Sequence, residues 1–356
     1  MKVKLGDVCE KASSNIKQSD IPSNKGVYPI YGASGLLGKV NFFHQEKPYI
    51  AVIKDGAGIG RAILCPEKSS VIGTLQYLLP RDNVLPQYLY YVICHMHLEK
   101  YFTGATIPHI YFKDYKNEPF NLVSRDEQQR IINVLGLVEN IIDARKKEIV
   151  ELDNLVKSRF VEMFSNERQH YRLNEVCKII TDGTHQPPEF VSCGIPFIFV
   201  SNIVNNEISY NTEKYITQET YNSLIVRTPI EMGDIILSTV GSYGHSAVVK
   251  NNKKFLFQRH IAYLKPKHEI VDSDFLHSAL LSSNVQQQID RQVKGIAQKT
   301  LNLSAIKQLV VPIPKILEQR KFARLKNHID KSKLAVQKSL EELETLKNSL
   351  MQQYFD

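Results

Sequence analysis

One long stretch of this sequence occurs twice. Residues 127–164 reappear without a gap as residues 318–355, a shift of 191 positions along the chain. Identical residues meet at several positions under this shift, as where Leu152 meets Leu343. Repeats of about 20–50 residues indicate solenoids. A repeat with a much longer period indicates instead that half of the molecule has been duplicated.

Each copy predicts one long helix with a coiled-coil pattern. In the second copy, two columns of residues at seven-residue spacing lie three positions apart, which is typical of a helix seam. The first column is Phe322, Ile329, Val336, Leu343 and Leu350, and the second is Leu325, Ser332, Ser339, Leu346 and Gln353. The first copy has three columns: Ile131, Val138 and Leu152; Val134, Ile141 and Leu155; and Leu135, Ile142, Ile149, Val156 and Met163. At 1.5 Å per residue, each helix would extend roughly 55–60 Å.

Three apolar columns are more than one partner helix requires. We therefore interpret the two segments as helices that pair with each other and leave apolar surface for another protein. The residues assigned to helix pairing or partner docking are Val138, Ile142, Ile149, Leu152, Val156, Ile329, Val336, Leu343, Leu346 and Leu350. The alternative interpretation is that both segments are simply core helices.

Length and composition limit the class of protein. The chain has 356 residues, room for two or three domains, and Lys and Arg outnumber Asp and Glu by 45 to 37. The net charge of +8 favours a polyanionic partner moderately. Five scattered cysteines without a CxxC pair indicate a reducing compartment and disfavour zinc or disulfides. Since the sequence also lacks a signal peptide pattern and an apolar run near 18 residues, we expect a cytoplasmic protein without a membrane span.

Short β-type runs separated by Gly, Pro and Asn fill the parts outside the helices. The sequence predicts an α+β protein with an internal repeat. Its expected parts are a first globular domain over 1–123, a helix over 124–165, a second globular domain over 166–314 and a helix over 315–356. The globular parts match each other much more weakly than the helices do.

Two glycine-rich loops are the first candidate sites. Gly56–Gly60 follows an apolar run and resembles a nucleotide-binding loop, but such a loop must open a helix, and here a strand-like run follows. We therefore predict tight connections between strands, both here and at its counterpart over 241–249. Because a glycine hairpin lets polar groups approach a ligand closely, the candidate contacts with phosphates or base edges are Lys54, Arg61, Ser242, Tyr243 and His245.

Further candidate contacts lie in three polar loops. His185, in the Asp182–His185 loop, could serve as a metal ligand or general base, but no second ligand is nearby, so a hydrogen-bonding role is favoured. The loops over 103–109 and 294–304 place Lys, Gln and Thr beside helix starts, which suits contacts with phosphates or base edges. The additional candidates are Thr106, His109, Lys113, Thr184, His185, Gln298 and Lys299.

The chain resembles the DNA-specificity (S) subunits of type I restriction–modification systems. The resemblance rests on the order domain–helix–domain–helix, on the paired Glu-Gln helix starts at Glu127 and Glu318, and on the segments 182–185 and 233–244. It covers essentially the whole chain. One departure is that the Asp-Gly-Thr-His loop occurs only in the second half, since the first half has Lys11–Asn15 at that place.

The resemblance implies a non-catalytic subunit that recognises DNA. Each globular part would be a target-recognition domain that reads one half of a split, asymmetric site in double-stranded DNA. The helices would pair antiparallel, relate the two domains by a pseudo-two-fold axis and dock modification (methyltransferase) subunits, two of them in the expected complex. Restriction subunits are further candidate partners. S-adenosylmethionine would bind the partner subunits, and this chain would bind no cofactor or metal.

Two rival functions follow from the same residues. One is a specificity chain with its own methyltransferase or nuclease centre, against which the sequence offers no P-loop, no Gly-x-Ser-x-Gly and no nuclease carboxylate–lysine cluster. The other is a stand-alone DNA-binding regulator, which would not need the surplus apolar helix face.

Overall fold

The computed structural model describes the chain except for residues 22–25, 105–107 and 296–298. The chain divides into two compact units, one formed by residues 1–146 with 337–356 and the other by residues 147–336. Each unit combines a globular part of helices and strands with a portion of each of two 40-residue helices. The predicted α+β class is confirmed.

Among its described residues, the globular part of the first unit contains nine short strands. They are β1 (Lys2–Lys4), β2 (Cys9–Ser13), β3 (Tyr28–Gly32), β4 (Gly35–Val40), β5 (Tyr49–Ile53), β6 (Ala62–Cys65), β7 (Ser70–Val71), β8 (Leu75–Pro80) and β9 (Pro119–Asn121). An antiparallel sheet has the order β2-β8-β5-β6, and a second sheet has the order β4-β3-β7, in which β3 and β7 are parallel. Strands β1 and β9 pair separately. Every residue of β5 is buried because its two faces enter different core clusters, which explains its continuous apolar sequence.

The helices of this part are short, and the long helix follows them. They are α1 (Leu5–Val8), α2 (Pro86–His95) and α3 (Phe112–Tyr115), followed by α4 (Arg125–Phe164). The sequence over 86–100 predicts a single helix, but the helix ends at His95. His97 adopts a left-handed conformation with φ 52°, and only a 3₁₀ turn, Leu98–Tyr101, comes after it.

The second unit repeats the topology of the first. Its strands are β10 (His170–Arg172), β11 (Cys177–Asp182), β12 (Ile195–Ile198), β13 (Ile203–Val204), β14 (Glu207–Ile208), β15 (Tyr215–Ile216), β16 (Ile235–Ser238), β17 (Ser246–Val248), β18 (Leu256–Phe257), β19 (Ile261–Pro266) and β20 (Val310–Pro312). The order β11-β19-β16-β17 corresponds to β2-β8-β5-β6, and the parallel pair β12–β18 corresponds to β3–β7. Strands β10 and β20 pair as β1 and β9 do. The internal repeat therefore includes the globular parts, where sequence similarity is weak.

The helices of the second unit lead into the second long helix. They are α5 (Leu173–Val176), α6 (Gln218–Leu224), α7 (Ser273–Leu280), α8 (Ser283–Gln292), α9 (Leu303–Gln308) and α10 (Ile316–Phe355). The sequence over 273–294 predicts a single helix, but the structure has two there, because the chain leaves helical geometry at Ser282, which has ψ 148°.

The Glu-Gln helix starts have a structural cause. Gln128 is fully buried, accepts a hydrogen bond from the Leu85 N–H (2.8 Å), and donates to the carbonyls of Asn83 (3.0 Å) and Val123 (3.0 Å). The equivalent Gln319 is also fully buried. It repeats the pattern with the Asp272 N–H (2.9 Å) and the carbonyls of Ile270 (3.1 Å) and Pro314 (2.7 Å). One amide thus joins each long helix to the loop that precedes a shorter helix.

We expect Gln128→Ala to lower the free energy of unfolding of the first unit by about 1–3 kcal/mol or more. This is the cost of leaving one buried backbone group without a hydrogen-bond partner. The measurement is the midpoint of thermal unfolding of the full chain. Gln129→Ala is the matched control, because the Gln129 side chain is exposed and bonds only to Asn133 of the same helix among the described residues. Equal midpoints for the two variants would contradict the proposed role of the buried amide.

The two long helices pack antiparallel. In the first unit, ion pairs join Glu139 to Lys347 (2.7 Å) and Lys146 to Glu344 (3.4 Å). The later residue of α4 thus pairs with the earlier residue of α10, as in antiparallel helices. In the second unit, Lys333 pairs with Asp153 (2.6 Å).

The ends of the helices complete the globular cores. Phe160 and Phe164, at the end of α4, contact Phe322 and belong to the main core cluster of the second unit. The equivalent Met351 and Phe355, at the end of α10, pack in the corresponding cluster of the first unit. Each globular part is therefore closed by the end of a long helix.

The predicted second column of α10 is wrong. Leu325 and Leu346 are exposed, Leu346 by 47%, whereas the column one position later is mostly buried or half-buried. That column is Lys326, Lys333, Leu340, Lys347 and Tyr354. The pattern failed because lysine counts as polar in a sequence, yet its alkyl stem packs on apolar surface while its ammonium pairs with a carboxylate.

The other residues assigned to helix pairing or docking lie on the sides of the helices that are at least partly covered. Val138, Ile142, Ile329 and Val336 are buried. The half-buried members are Ile149, Leu152, Val156, Leu343 and Leu350. The middle column of α4 is partly open, since Ile141 and Leu155 are exposed by 37% and 40% whereas Val134 is half-buried. Two apolar side chains of this column, Ile141 and Leu155, are thus left uncovered.

A buried histidine predicts a pH dependence of stability. His277 in α7 donates from Nε2 to the Ser246 carbonyl (2.9 Å), and burial lowers its pKa to about 4. In the unfolded chain this histidine has an ordinary pKa near 6.5. Between about pH 6.5 and 4 it is therefore protonated in the unfolded chain and neutral in the folded one. The contribution of His277 to the free energy of unfolding is therefore fully present above about pH 6.5. It falls by roughly 3 kcal/mol as the pH approaches 4.

We expect His277→Gln to flatten this dependence between about pH 6.5 and 4. The measurement is the thermal midpoint as a function of pH. His268→Gln, which removes an exposed histidine of the same unit, is the control and should keep the wild-type slope. A His277→Gln variant with the wild-type slope would contradict the assignment.

Candidate nucleic-acid interface

The glycine-rich loop of the first unit connects two antiparallel strands. β5 and β6 pair from Tyr49 with Cys65 to Val52 with Ala62, which confirms the predicted tight connection. Gly56, Gly58 and Gly60 have φ values of 81–85°, a conformation that favours glycine. At Gly60 a Cβ would also lie 2.4 Å from the Glu99 nitrogen, so this loop lies directly against the 3₁₀ turn Leu98–Tyr101.

A second loop lies against the first. Thr103 and His109 exchange backbone hydrogen bonds of 2.8 and 2.7 Å, which close the loop between them. The Gly56 N–H donates to the Pro108 carbonyl (3.0 Å), and the Ile110 N–H donates to the Lys54 carbonyl (2.9 Å). These two backbone hydrogen bonds hold the two loops side by side.

Three predicted contact residues come together here. His109 bonds through Nδ1 to the Asp55 carboxylate (2.7 Å), which also lies 3.9 Å from the Lys54 ammonium. The His109 ring stacks on Tyr111, with 6.4 Å between centroids, and the Lys113 ammonium lies 5.4 Å from the Tyr111 centroid. Lys54, His109 and Lys113 thus form one row of basic and aromatic groups, a combination suited to phosphates and bases.

Two other predicted residues of this unit differ in placement. Arg61 donates from Nε to the Gly58 carbonyl (3.3 Å) and from Nη2 to the Ala33 carbonyl (3.1 Å), so it braces the glycine-rich loop. Thr106 lies outside the described residues. Beside the row is an open cleft of about 600 Å³. It is lined by Lys100, Tyr101, Phe102, Thr103, Tyr111, Lys113 and Asp114.

The second unit builds the same pair of loops. The Gly244 N–H donates to the Ser238 carbonyl (2.9 Å), and the Gly241 N–H donates to the Lys299 carbonyl (3.2 Å). β16 and β17 are antiparallel, so the connection between them is also a strand connection, as predicted. Lys294 and Thr300 exchange backbone bonds of 3.1 and 2.9 Å, as Thr103 and His109 do. The backbone frame is repeated although the side chains differ.

The side chains on this frame include four predicted contacts. Tyr243 donates to Asp290 (3.0 Å), and the Lys299 ammonium lies 5.9 Å from the Tyr243 centroid. Ser242 and His245 are exposed on the same loop. Gln298 lies outside the described residues.

The Asp-Gly-Thr-His segment is anchored beside these loops. A Cβ at Gly183 would lie 2.2 Å from the Phe257 carbonyl oxygen, so only glycine fits there. Thr184 accepts from the Arg259 N–H (3.0 Å) and donates its own N–H to the Phe257 carbonyl (2.9 Å). His185 Nε2 lies 3.0 Å from Asp182 Oδ2, a hydrogen bond within the same loop. Across the residues that the structure describes, no group of three His, Cys, Asp or Glu is placed to hold a metal ion.

Sequence reasoning missed three residues at or near the Asp182–His185 loop. Arg227 contacts both Asp182 and His185, and Arg259 and His260 lie in the turn between β18 and β19. Partial burial and then the charge of Arg259 lower the pKa of His260. The polar residues 258–260 between two apolar strands were a signal for this turn. Arg227, distant in sequence, had none.

The helices of the described ranges include none that is long and apolar enough to cross a membrane.

Known proteins resemble this chain over most of its length. Residues 1–154 and 166–345 match the family described as Type I restriction modification DNA specificity domain. The specificity subunit of the type I restriction enzyme MjaVIII from Methanocaldococcus jannaschii is 22% identical over 329 residues, which cover 85% of this chain and 77% of that protein. The EcoBI specificity subunit from Escherichia coli is 31% identical over 142 residues, but these cover only 40% of this chain and 30% of that protein.

Solved structures share the fold. The S subunit of a type I restriction–modification system from M. genitalium has a TM-score of 0.62 at 18% identity, with 100% of this chain and 96% of that chain covered. A chain from a study of complex assembly in the type I system has a TM-score of 0.58 at 16% identity, with 99% and 97% covered. With the family match spanning both halves, the chain belongs to the type I restriction–modification DNA specificity family.

Proposed function

We propose that this chain reads a two-part DNA site and carries the modification subunits of a type I restriction–modification complex. The observation that carries the proposal is the repeated pair of loops, one in each unit, built on the same backbone frame with different side chains. A repeated frame with different polar groups suits two readers of different half-sites. The site would therefore be asymmetric.

Binding would combine phosphate and base contacts. Lys54, Lys113 and Lys299 are candidates for phosphates, whose neutralisation makes affinity fall steeply with salt. Thr184, His185, Ser242, Tyr243 and His245 are candidates for base edges, together with Arg259, His260 and His109. Thr106 and Gln298 remain candidates from the sequence alone, and Arg61 supports the loop.

The exposed Ile141 and Leu155 of α4 support the proposal of protein partners. Exposed apolar side chains on one helix indicate an interaction surface. We assign this surface to modification subunits, two in the complete complex, and these would bind S-adenosylmethionine. Restriction subunits would complete the complex, and the cytoplasm is its expected location. The chain itself would be non-catalytic and bind no cofactor.

The test is co-purification of this chain with the methyltransferase encoded beside it, followed by sequencing of the DNA positions that the complex methylates. A stable complex that marks a split, asymmetric site is the expected result. DNA binding by the chain alone without a complex would indicate a stand-alone regulator. Methylation by this chain alone with S-adenosylmethionine would contradict the non-catalytic role.

A further inference from the structure

The hairpin formed by β3 and β4 is a part of the first unit that carries none of the candidate contacts. Its strands are antiparallel and are joined by the turn Ala33–Ser34, after which Gly35 has φ 103°. Leu36 is 58% exposed there, whereas the next residue, Leu37, packs against a core cluster of the unit. The alternation of side chains along β4 thus turns an apolar group outwards at the tip of the hairpin.

One arginine joins the tip of this hairpin to the glycine-rich loop. Arg61 donates from Nη2 to the Ala33 carbonyl (3.1 Å) and from Nε to the Gly58 carbonyl (3.3 Å). Because the guanidinium is planar and rigid, these two donors hold the two carbonyls close together. The tip of the hairpin therefore lies beside the loop that contains Lys54.

The pairing of the strands places the tip at the same end of the unit, independently of Arg61. β3 runs parallel to β7, so both strands end on the same side. The chain leaves β7 through a turn in which the Leu75 N–H donates to the Ile72 carbonyl (3.0 Å). The Thr74 carbonyl of that turn accepts from the Lys54 N–H (3.0 Å), and Lys54 belongs to the row of basic and aromatic groups. The tip, the turn and the row thus form one continuous edge.

The second unit is built differently after the equivalent strand. β12, which corresponds to β3, is followed by the 3₁₀ turn Val200–Asn202. Its antiparallel partner is β15, which comes after the separate hairpin of β13 and β14. Within the described residues, the β3–β4 hairpin is therefore particular to the first unit. An element that one unit has and the other lacks is suited to making the two half-sites different.

The exposed leucine limits the kind of contact that the tip can make with DNA. A two-stranded β-ribbon fits the major groove, where the thymine methyl is the apolar group on the base edges. Leucine has no hydrogen-bonding group, so it cannot serve as a phosphate ligand. Single exposed leucines are common on protein surfaces, and exposure alone assigns no role. What distinguishes Leu36 is its position at the edge that carries Lys54.

We propose that the β3–β4 hairpin is a DNA-reading element of the first unit and that Leu36 contacts a thymine methyl in the major groove. This inference rests on the proposed function, because it requires that the first unit reads DNA. It adds an element and a base that the family membership does not supply. Ser34, exposed at the same tip, offers a hydroxyl that can donate to or accept from a neighbouring base or phosphate.

The first test compares the full wild-type chain with Leu36→Ala on a pool of double-stranded DNA with random positions. The bound molecules are sequenced before and after selection. We expect Leu36→Ala to lose a preference for thymine at one position by about fourfold or more, which corresponds to the burial of one methyl group. The other positions should keep their preferences.

Val27→Ala is the matched control. Val27 is 71% exposed and directly precedes β3, so it is an apolar residue at the opposite end of the same hairpin from the tip. This variant should keep every preference of the wild-type chain. Because Leu36 and Val27 are both exposed, we expect both variants to fold, and thermal unfolding checks this.

The second test changes the DNA instead of the protein. Uracil in place of the selected thymine removes the C5-methyl group and keeps the hydrogen-bonding groups of the base. The wild-type chain should bind the uracil site about fourfold more weakly than the thymine site. Leu36→Ala should bind the two sites equally, because it lacks the side chain that contacts the methyl group.

The outcomes separate this inference from the proposed function. Unchanged preferences in folded Leu36→Ala would overturn the inference, as would an equal loss of affinity for every sequence, which identifies a contact with the DNA backbone. Equal binding of the thymine and uracil sites by the wild-type chain would also overturn it. Each of these results leaves the proposed function intact if the wild-type chain selects a split site. A wild-type chain without any sequence preference, alone or with its methyltransferase, would instead defeat the proposed function.

Discussion

The double substitution Ile141→Glu and Leu155→Glu is expected to abolish association with a modification subunit. It should leave DNA binding by the chain itself unchanged. Both side chains are exposed in the middle column of α4, so the fold tolerates the change. At the centre of an interface, however, each new carboxylate would be buried without a partner, and residues at such positions commonly contribute about 2 kcal/mol or more. The measurement is the dissociation constant between the purified chain and the methyltransferase, which should rise at least 100-fold.

The matched control is Asn140→Glu with Asn154→Glu, which adds the same two charges at exposed positions next to the tested ones. The control should bind the partner normally. Normal binding by the Ile141 and Leu155 variant would show that this face is not the docking surface, and loss of binding by both variants would assign the effect to charge. Substituting aspartate for Ile149 and Val156 is a weaker test, since both are half-buried and their replacement would disturb folding.

The long helices could be predicted because their signal is local and repeated. Two 40-residue helices without proline, with matching residues 191 positions apart, define their own number and length. Their partner faces could not be fully predicted. Lys333 and Lys347 enter the seam because Asp153 and Glu139 meet them from the other helix, and those pairings depend on register rather than on hydropathy.

The sequence predicted the type of loop at the candidate site, but not all of the side chains that meet there. Glycines between β-type runs predict tight turns, and the loops at Gly56 and Gly241 are such turns. Which side chains meet across turns is a tertiary property. Arg227 joins Asp182 only because α6 and the turn after it pass beside β11, and a lone arginine in the sequence does not reveal this. The role of Gln128 was hidden for the same reason.

Single-methyl substitutions at two glycines are expected to damage the two half-sites separately. In Gly60→Ala the new Cβ would meet the Glu99 backbone at 2.4 Å in a residue with φ 82°, so the first unit's loop must move. In Gly183→Ala it would meet the Phe257 carbonyl at 2.2 Å and displace the Asp-Gly-Thr-His segment of the second unit. Moving backbone atoms away from the new methyl group costs energy and shifts the loop. Contacts to base edges would then be lost, because they require accurate placement of the side chains. We expect each variant to lose sequence preference, by about tenfold or more, in one half-site and to keep the other.

The measurement is the set of DNA positions methylated by each variant in complex with its methyltransferase. Gly136→Ala is the control, because its Cβ would lie 3.9 Å from the Tyr91 hydroxyl, an ordinary contact distance. A mid-helix alanine should stabilise α4 by about 0.5–1 kcal/mol. It should leave both half-sites unchanged. If Gly60→Ala and Gly183→Ala instead relax the same positions, the two units read one site together, and the assignment of one half-site to each unit is wrong. If either folded variant keeps every preference, the loop that it disturbs does not read DNA.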